Sequence, residues 1–131
     1  MILLDTHAMV WWVDGSRMLP ARTRRACNQA ARKQELIVSA ASIMEIATLV
    51  RRERLRLRVP FEDWLSDIKA LPEVGIRPIT ADIAAAAGSY GDAVHCDPAD
   101  RLILATAQLS DAILATADAT IRSTRLVQTI W

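Results

Sequence analysis

Short apolar runs alternate with longer amphipathic stretches along the whole chain, and their lengths separate strands from helices. Ile2-Leu3-Leu4 has strand character and ends at Asp5-Thr6; Ala8 to Val13 then reads as a helix that Asp14-Gly15-Ser16 stops. Pro20 opens a second helix over residues 21–34. Leu36-Ile37-Val38 is the next strand, running directly into a helix that carries Ser42, Glu45 and Val50. Two starts compete for that helix. Ser42 and Glu45 have capping-box spacing, which would engage Glu45 in a reciprocal cap. With Ser39 as the cap, Glu45 falls in the second turn among apolar neighbours and needs another partner. We favour the second reading.

Pro60 to Leu71 forms an amphipathic helix with Phe61, Trp64, Leu65 and Ile68 inward, ended by Pro72. Residues 76–79 are a third strand candidate, which Pro78 places at an edge or a strand end. Thr80 caps an alanine-rich helix through Ala87, closed by Gly88. A central helix then starts at Asp97 (N-cap), with Pro98 first and Asp100 third. Beyond Arg101 it is apolar on nearly every face, so protein should cover it. Residues 112–116 form a fourth strand, Asp118 caps a short helix through Arg122, and residues 126–130 are a last strand. Strands alternating with helices predict an α/β sandwich with a mostly parallel sheet.

Composition narrows this picture. The 131 residues suit one domain with one core, residues 1–131. Although 52% of residues are hydrophobic, none of the runs approaches the ~18 apolar residues of a membrane span. Met-Ile-Leu-Leu-Asp lacks the basic start of a signal peptide. Cys27 and Cys96 have neither metal-site spacing nor the pattern of a disulfide framework. We expect a cytoplasmic protein without membrane contact. The net charge of +1 conceals an asymmetry: residues 1–58 carry 11 basic and 5 acidic side chains, residues 59–131 carry 5 and 10. Such polarity suits a protein that meets a polyanion on one side and holds cations on another. Most of the arginines are equally well read as helix decoration. The run Arg51–Arg58, with five arginines in eight residues, reads as an extended piece or a frayed helix end. It suits a solvated face, a phosphate-binding edge or a docking strip equally well. Trp11 and Trp12 are expected in the core or at a subunit contact, with stacking on nucleobases the less favoured reading.

Four acids share one structural address. Asp5 and Asp118 lie just past strand ends, and Glu45 and Asp100 lie in the opening turns of helices that follow apolar segments. Each alone has a bland explanation as a cap or a dipole partner. A parallel sheet, however, gathers these positions along its carboxyl edge. Carboxylates brought together must take up protons or bind a cation. Hard divalent ions with oxygen ligands, Mg²⁺ or Mn²⁺, are the natural solution, and such a site activates water at a phosphoryl group. Competing chemistries fit poorly. The four glycines are isolated and make no phosphate loop or dinucleotide fingerprint, and the chain has no Gly-x-Ser-x-Gly turn. A phospho-aspartate receiver would need a lysine at a strand end, and Lys33 and Lys69 are not so placed. His95 reads as a loop hydrogen-bonder, and Asp97 as a cap.

Four segments taken in order resemble the PIN-domain family, specifically VapC-type toxins. They are Leu3-Leu4-Asp5-Thr6-His7-Ala8 with Trp11-Trp12; Ser39-Ala-Ala-Ser42 through Glu45-Ile-Ala; His95-x-Asp97-Pro-x-Asp100-Arg-Leu; and Leu114-x-Thr116-x-Asp118. Ala99 stands where this subgroup often has Phe. The resemblance implies a three-layer α/β/α sandwich and an Mg²⁺- or Mn²⁺-dependent endoribonuclease. It also implies a cognate antitoxin and a homodimer. Its catalytic acids fall on Asp5, Glu45, Asp100 and Asp118. Asp5 and Asp100 would bind metal most directly, Glu45 and Asp118 would complete the site directly or through water, and Thr6 and Thr116 would support them. Basic residues of the first half would hold the RNA backbone. Two alternatives stay open: a PIN-like binding or regulatory module without nuclease activity, and a PIN nuclease of RNA processing outside toxin biology.

Overall fold

The computed structural model describes residues 1–131. In chain order the elements are β1 (Ile2–Leu4), α1 (Thr6–Asp14), α2 (Ala21–Arg32), β2 (Leu36–Ser39), α3 (Ala40–Arg51) and α4 (Phe61–Ala70). There follow β3 (Val74–Arg77), α5 (Ala81–Ser89), α6 (Pro98–Leu109), β4 (Ile113–Ala115), α7 (Ala119–Thr124) and β5 (Thr129–Ile130). The five strands form one sheet in the order β3-β2-β1-β4-β5, and every pairing is parallel. The expectation of a mostly parallel sheet is thus exceeded.

Strand alternation divides the interior in two. Ile2, Leu4, Leu36, Val38 and Ala115 face one way, onto a core with Met9, Cys27, Ile46, Trp64 and Ile68 of α1–α4. Leu3, Ile37 and Leu114 face the other way, onto Ile103, Leu104 and Ala107 of α6 and Ile121 of α7. Helices therefore cover both faces, giving the three-layer α/β/α sandwich. No helix is long and apolar enough to cross a membrane.

Boundaries shift where local chemistry outweighs periodicity. The third strand covers Val74–Arg77, not 76–79, because Pro78 lacks the N–H that continued pairing needs and Leu71 already ends α4. It is an edge strand, as Pro78 implied. The first helix starts two residues earlier than its apolar pattern, at Thr6, since the Asp5 carboxylate accepts from the Ala8 N–H at 2.8 Å. Gly15, with φ of 66°, closes it in the left-handed conformation. The second helix stops at Arg32, ahead of the left-handed Gln34. The fourth and fifth strands keep only 113–115 and 129–130 of their expected spans. Ser39 caps α3 by accepting from the Ala41 N–H at 3.1 Å, so Glu45 lies in the second turn, as we favoured. Residues 52–58 are neither strand nor helix. Their alternation has a tertiary cause: Leu55 and Leu57 pack against the core while Arg54, Arg56 and Arg58 are exposed.

Candidate active site

In a doubly wound sheet the chain crosses to opposite faces on either side of a switch point, which leaves a crevice outside the strand ends. Here the switch lies between β1 and β4. The Asp5 N–H donates to Ala115 O at 3.1 Å and the Thr116 N–H to Ile130 O at 3.2 Å. These bonds hold the ends of β1, β4 and β5 in line. A pocket of about 480 Å³ opens there, and Asp5, Glu45, Asp97, Asp100 and Asp118 all line it. All four predicted acids are brought together. Asp97 is the fifth, and the sequence reading had assigned it only a capping role.

Capping and lining the pocket prove compatible. The Asp97 Oδ1 accepts from the Asp100 N–H at 2.8 Å. The Asp118 Oδ1 accepts from the N–H groups of Thr120 (2.7 Å) and Ile121 (3.1 Å). A carboxylate has about four acceptor sites on two oxygens, so a helix cap leaves capacity free for a ligand. Glu45, Asp97 and Asp100 approach most closely, each offering an oxygen within 4.8 Å of the others. Asp5 and Asp118 border the same pocket outside this triplet.

The threonines sit where expected. The Thr6 Oγ1 lies 2.7 Å from Glu45 Oε1 and 3.2 Å from Ser42 Oγ. With one proton to give, it donates to the carboxylate and accepts from Ser42. Thr116 accepts from the Asp118 N–H at 3.1 Å, and its hydroxyl also stabilises ionised Asp5. The loop that delivers Asp97 is fixed by Arg101, a residue the sequence reading gave no role. Its guanidinium donates to the carbonyls of Tyr90 (2.8 Å), Val94 (2.8 Å), Cys96 (3.2 Å) and Gly91 (3.5 Å). His95 makes no side-chain hydrogen bond comparable to these and is exposed.

Electrostatically the site is unfavourable as it stands. Burial pushes Asp100 up to about 7, and Asp97, Glu45, Asp118 and Asp5 add to the effect. Burial also raises Asp5, against the Thr116 hydroxyl and the Ala8 N–H. It raises Glu45 too, against the Thr6 hydroxyl, with Asp97 and Asp5 reinforcing it. No lysine or arginine lines the pocket. Arg24, one of the basic residues expected to meet a polyanion, instead donates to the carbonyls of Trp11 (2.9 Å), Trp12 (3.3 Å) and Ser16 (2.8 Å), closing the end of α1. Five carboxylates, with Asp100 pushed up to about 7 and the His7 imidazole the one basic group beside them, form an oxygen-rich donor set that fits a hard divalent cation.

The comparisons with known proteins agree with this geometry. The family model described as "PIN domain" matches residues 2–126. A ribonuclease from Mycobacterium tuberculosis, VapC22, is 37% identical over 133 residues, covering 99% of this chain and 98% of that protein. Among solved structures, a toxin–antitoxin complex from Klebsiella pneumoniae superposes with a TM-score of 0.67 at 20% identity, covering 100% of this chain and 97% of the other. VapBC2 from Rickettsia felis, solved on a DNA fragment from its promoter, also reaches 0.67 at 15% identity, covering 99% and 98%. At those identities the structural likenesses carry the fold alone. With the family model spanning nearly the whole sequence and a relative this similar end to end, the chain belongs to the PIN domain family.

Proposed function

We propose that this chain is a divalent-metal-dependent endoribonuclease and the toxin of a toxin–antitoxin pair, acting as one nuclease domain over residues 1–131. The observation that carries the reading is the convergence of five carboxylates on one pocket that no lysine or arginine lines. The ribonuclease name of the 37% identical relative gives the substrate class. The structural likeness to a toxin–antitoxin complex supports an antitoxin partner.

Asp5, Glu45, Asp100 and Asp118 are the catalytic acids of this proposal. Asp5 and Asp100 hold Mg²⁺ or Mn²⁺, while Glu45 and Asp118 complete the shell directly or through water. Asp97 joins them because of its place in the close triplet. When bound, the ion supplies an activated water and neutralises charge developing on the phosphodiester. The residues supply position. Thr6 orients Glu45 through its 2.7 Å hydrogen bond, and the Thr116 hydroxyl favours the charged form of Asp5 against its burial. The caps fix the acids to the first turns of α1, α6 and α7. A homodimer and a cytoplasmic setting, in which Cys27 and Cys96 stay as free thiols, complete the proposal.

The test is cleavage of a structured RNA by purified protein in Mg²⁺, Mn²⁺ or EDTA, beside Asp5→Asn and Asp100→Asn. Cleavage should require metal and fall at least a hundredfold in both variants, while their circular dichroism spectra stay those of the parent. Undiminished cleavage by both would overturn the assignment.

A further inference from the structure

The acid pocket has a second wall, and it is aromatic. His7 and Trp11 stand four residues apart on α1, hence on one face of that helix. Their rings lie 5.6 Å apart at an interplanar angle of 47°. Trp131 follows β5 at the same carboxyl edge as the acids, and its ring lies 5.8 Å from that of Trp11, tilted by 52°. All three side chains line the pocket with the carboxylates, and both indoles are only half-buried. Trp11 and Trp131 both also pack against the core, as expected of Trp11, and base stacking is the less favoured of its sequence expectations.

An RNA strand meets an electrostatic obstacle here. Its phosphates face five carboxylates, and no lysine or arginine lines the pocket to attract them. Beyond the metal and the single imidazole of His7, the pocket offers affinity to a part of the nucleotide without charge. Bases qualify, because a base stacks on an indole whatever the local potential. Trp11 has an aromatic ring on two sides and Trp131 on one, so Trp131 keeps the freer surface. The 52° tilt prevents one base from lying flat on both rings.

We infer that Trp131, backed by Trp11, is a stacking platform for one unpaired nucleobase of the RNA, next to the phosphate held over the acids. The inference rests on the ribonuclease reading. A base can reach such a platform only when it is unstacked from its own strand, so the subsite selects single-stranded segments, loops and bulges over duplex. Stacking also tolerates any base, so the subsite sets the structure of the cleaved region more than its sequence.

Trp131→Leu and Trp131→Phe should be compared with the parent on a single-stranded RNA and on copies carrying one abasic site each. Trp131→Leu should raise KM by about tenfold, within the range one stacked base supplies. The value of kcat should stay within about twofold, since the acids are untouched, and Trp131→Phe should recover most of the loss. One abasic position should reproduce the defect in the parent and add nothing in Trp131→Leu. The Mg²⁺-induced rise in melting temperature should be equal in all three proteins, which separates stacking from a damaged fold. An unchanged KM in Trp131→Leu, or a flat abasic scan, overturns the subsite while metal-dependent cleavage stands. If the parent cleaves nothing, the ribonuclease reading fails instead. The subsite is then judged by tryptophan fluorescence: single-stranded RNA in Mg²⁺ should quench it, Trp131→Phe should lessen the quench, and no quench overturns the platform.

Discussion

Replacing Asp100 by Asn should make the metal-free protein more stable while it destroys the site. Asp100 is pushed from 3.8 up to about 7 by burial and by four neighbouring carboxylates. Its folded value lies above its unfolded value, so protonation favours the fold. That stability is complete below about pH 4 and is lost progressively as the pH climbs to about 7. At face value the shift corresponds to ~4 kcal/mol. Asp100 is only half-buried, so solvent screening reduces the cost of ionising it to about 1–2 kcal/mol. One effect opposes this: a carboxylate in the first turn of α6 gains about 0.3–1 kcal/mol from the helix dipole, which Asn forfeits. The cost of ionising a half-buried Asp100 among like charges wins by about 1 kcal/mol, worth about 4 °C in melting temperature for a chain of this length. Thermal melts in EDTA between pH 4 and 8 read the difference directly. The Asn variant should match the parent near pH 4, gain on it through pH 7, and hold a constant lead above. Saturating Mg²⁺ reverses the order, because ligand at a hundred times its Kd stabilises the parent by about 2.7 kcal/mol, or about 10 °C. An Asn variant that melts at or below the parent in EDTA across the whole range would refute the argument from burial and repulsion.

Three further changes probe the frame around the acids. Thr6→Val removes the hydroxyl between Ser42 and Glu45; metal affinity by titration calorimetry should fall about 10–100-fold with the fold retained. Arg101→Ala frees four carbonyls of the loop that carries Asp97. Denaturant melts should show a loss of about 1.5–3 kcal/mol, and hydrogen exchange should quicken first in residues 90–97. Thr23 is fully buried, and its hydroxyl has no hydrogen-bond partner. Thr23→Val keeps the shape, discards that unpaired group and should stabilise the protein by about 1 kcal/mol in the same melts.

How much was legible follows from what each residue type announces. Asp5 and Asp118 were found because cap positions after strand ends are visible in a sequence, and Asp100 because it opens a helix that is apolar on nearly every face; a parallel sheet dictates where such ends meet. Glu45 was found by exclusion, once Ser39 was preferred as the cap. Asp97 was missed because its cap explained it fully; a bond to one oxygen says nothing about the other. Arg101 was missed for a different reason. Its partners are four main-chain carbonyls in an irregular loop, and carbonyls leave no trace in side-chain spacing. Strand limits slipped wherever edge pairing ended early, as at β5, since two paired residues bury too little to create a pattern.

The basic half of the chain sharpens a simple picture of charge. A net +6 over residues 1–58 suggested a protein that meets a polyanion on one side and holds cations on another. Arg24, however, closes the end of α1. Arg51 lies six residues beyond Glu45 along α3, a displacement of about 9 Å down the helix axis. The arginines after it lie on a loop whose leucines are anchored to the core. Lysine and arginine side chains are thus absent from the pocket lining, and that absence has a chemical reason. An arginine among the acids would supply the counter-charge itself, lower Asp100 and remove the drive to bind an ion. The burial and repulsion that make ionised Asp100 costly in the metal-free fold also give the pocket its drive to bind a divalent cation. Introducing a basic side chain at Ala117, which lines the pocket, should accordingly raise the melting temperature in EDTA and lower the affinity for Mg²⁺ together. A substitution that changed only one of the two would break that link.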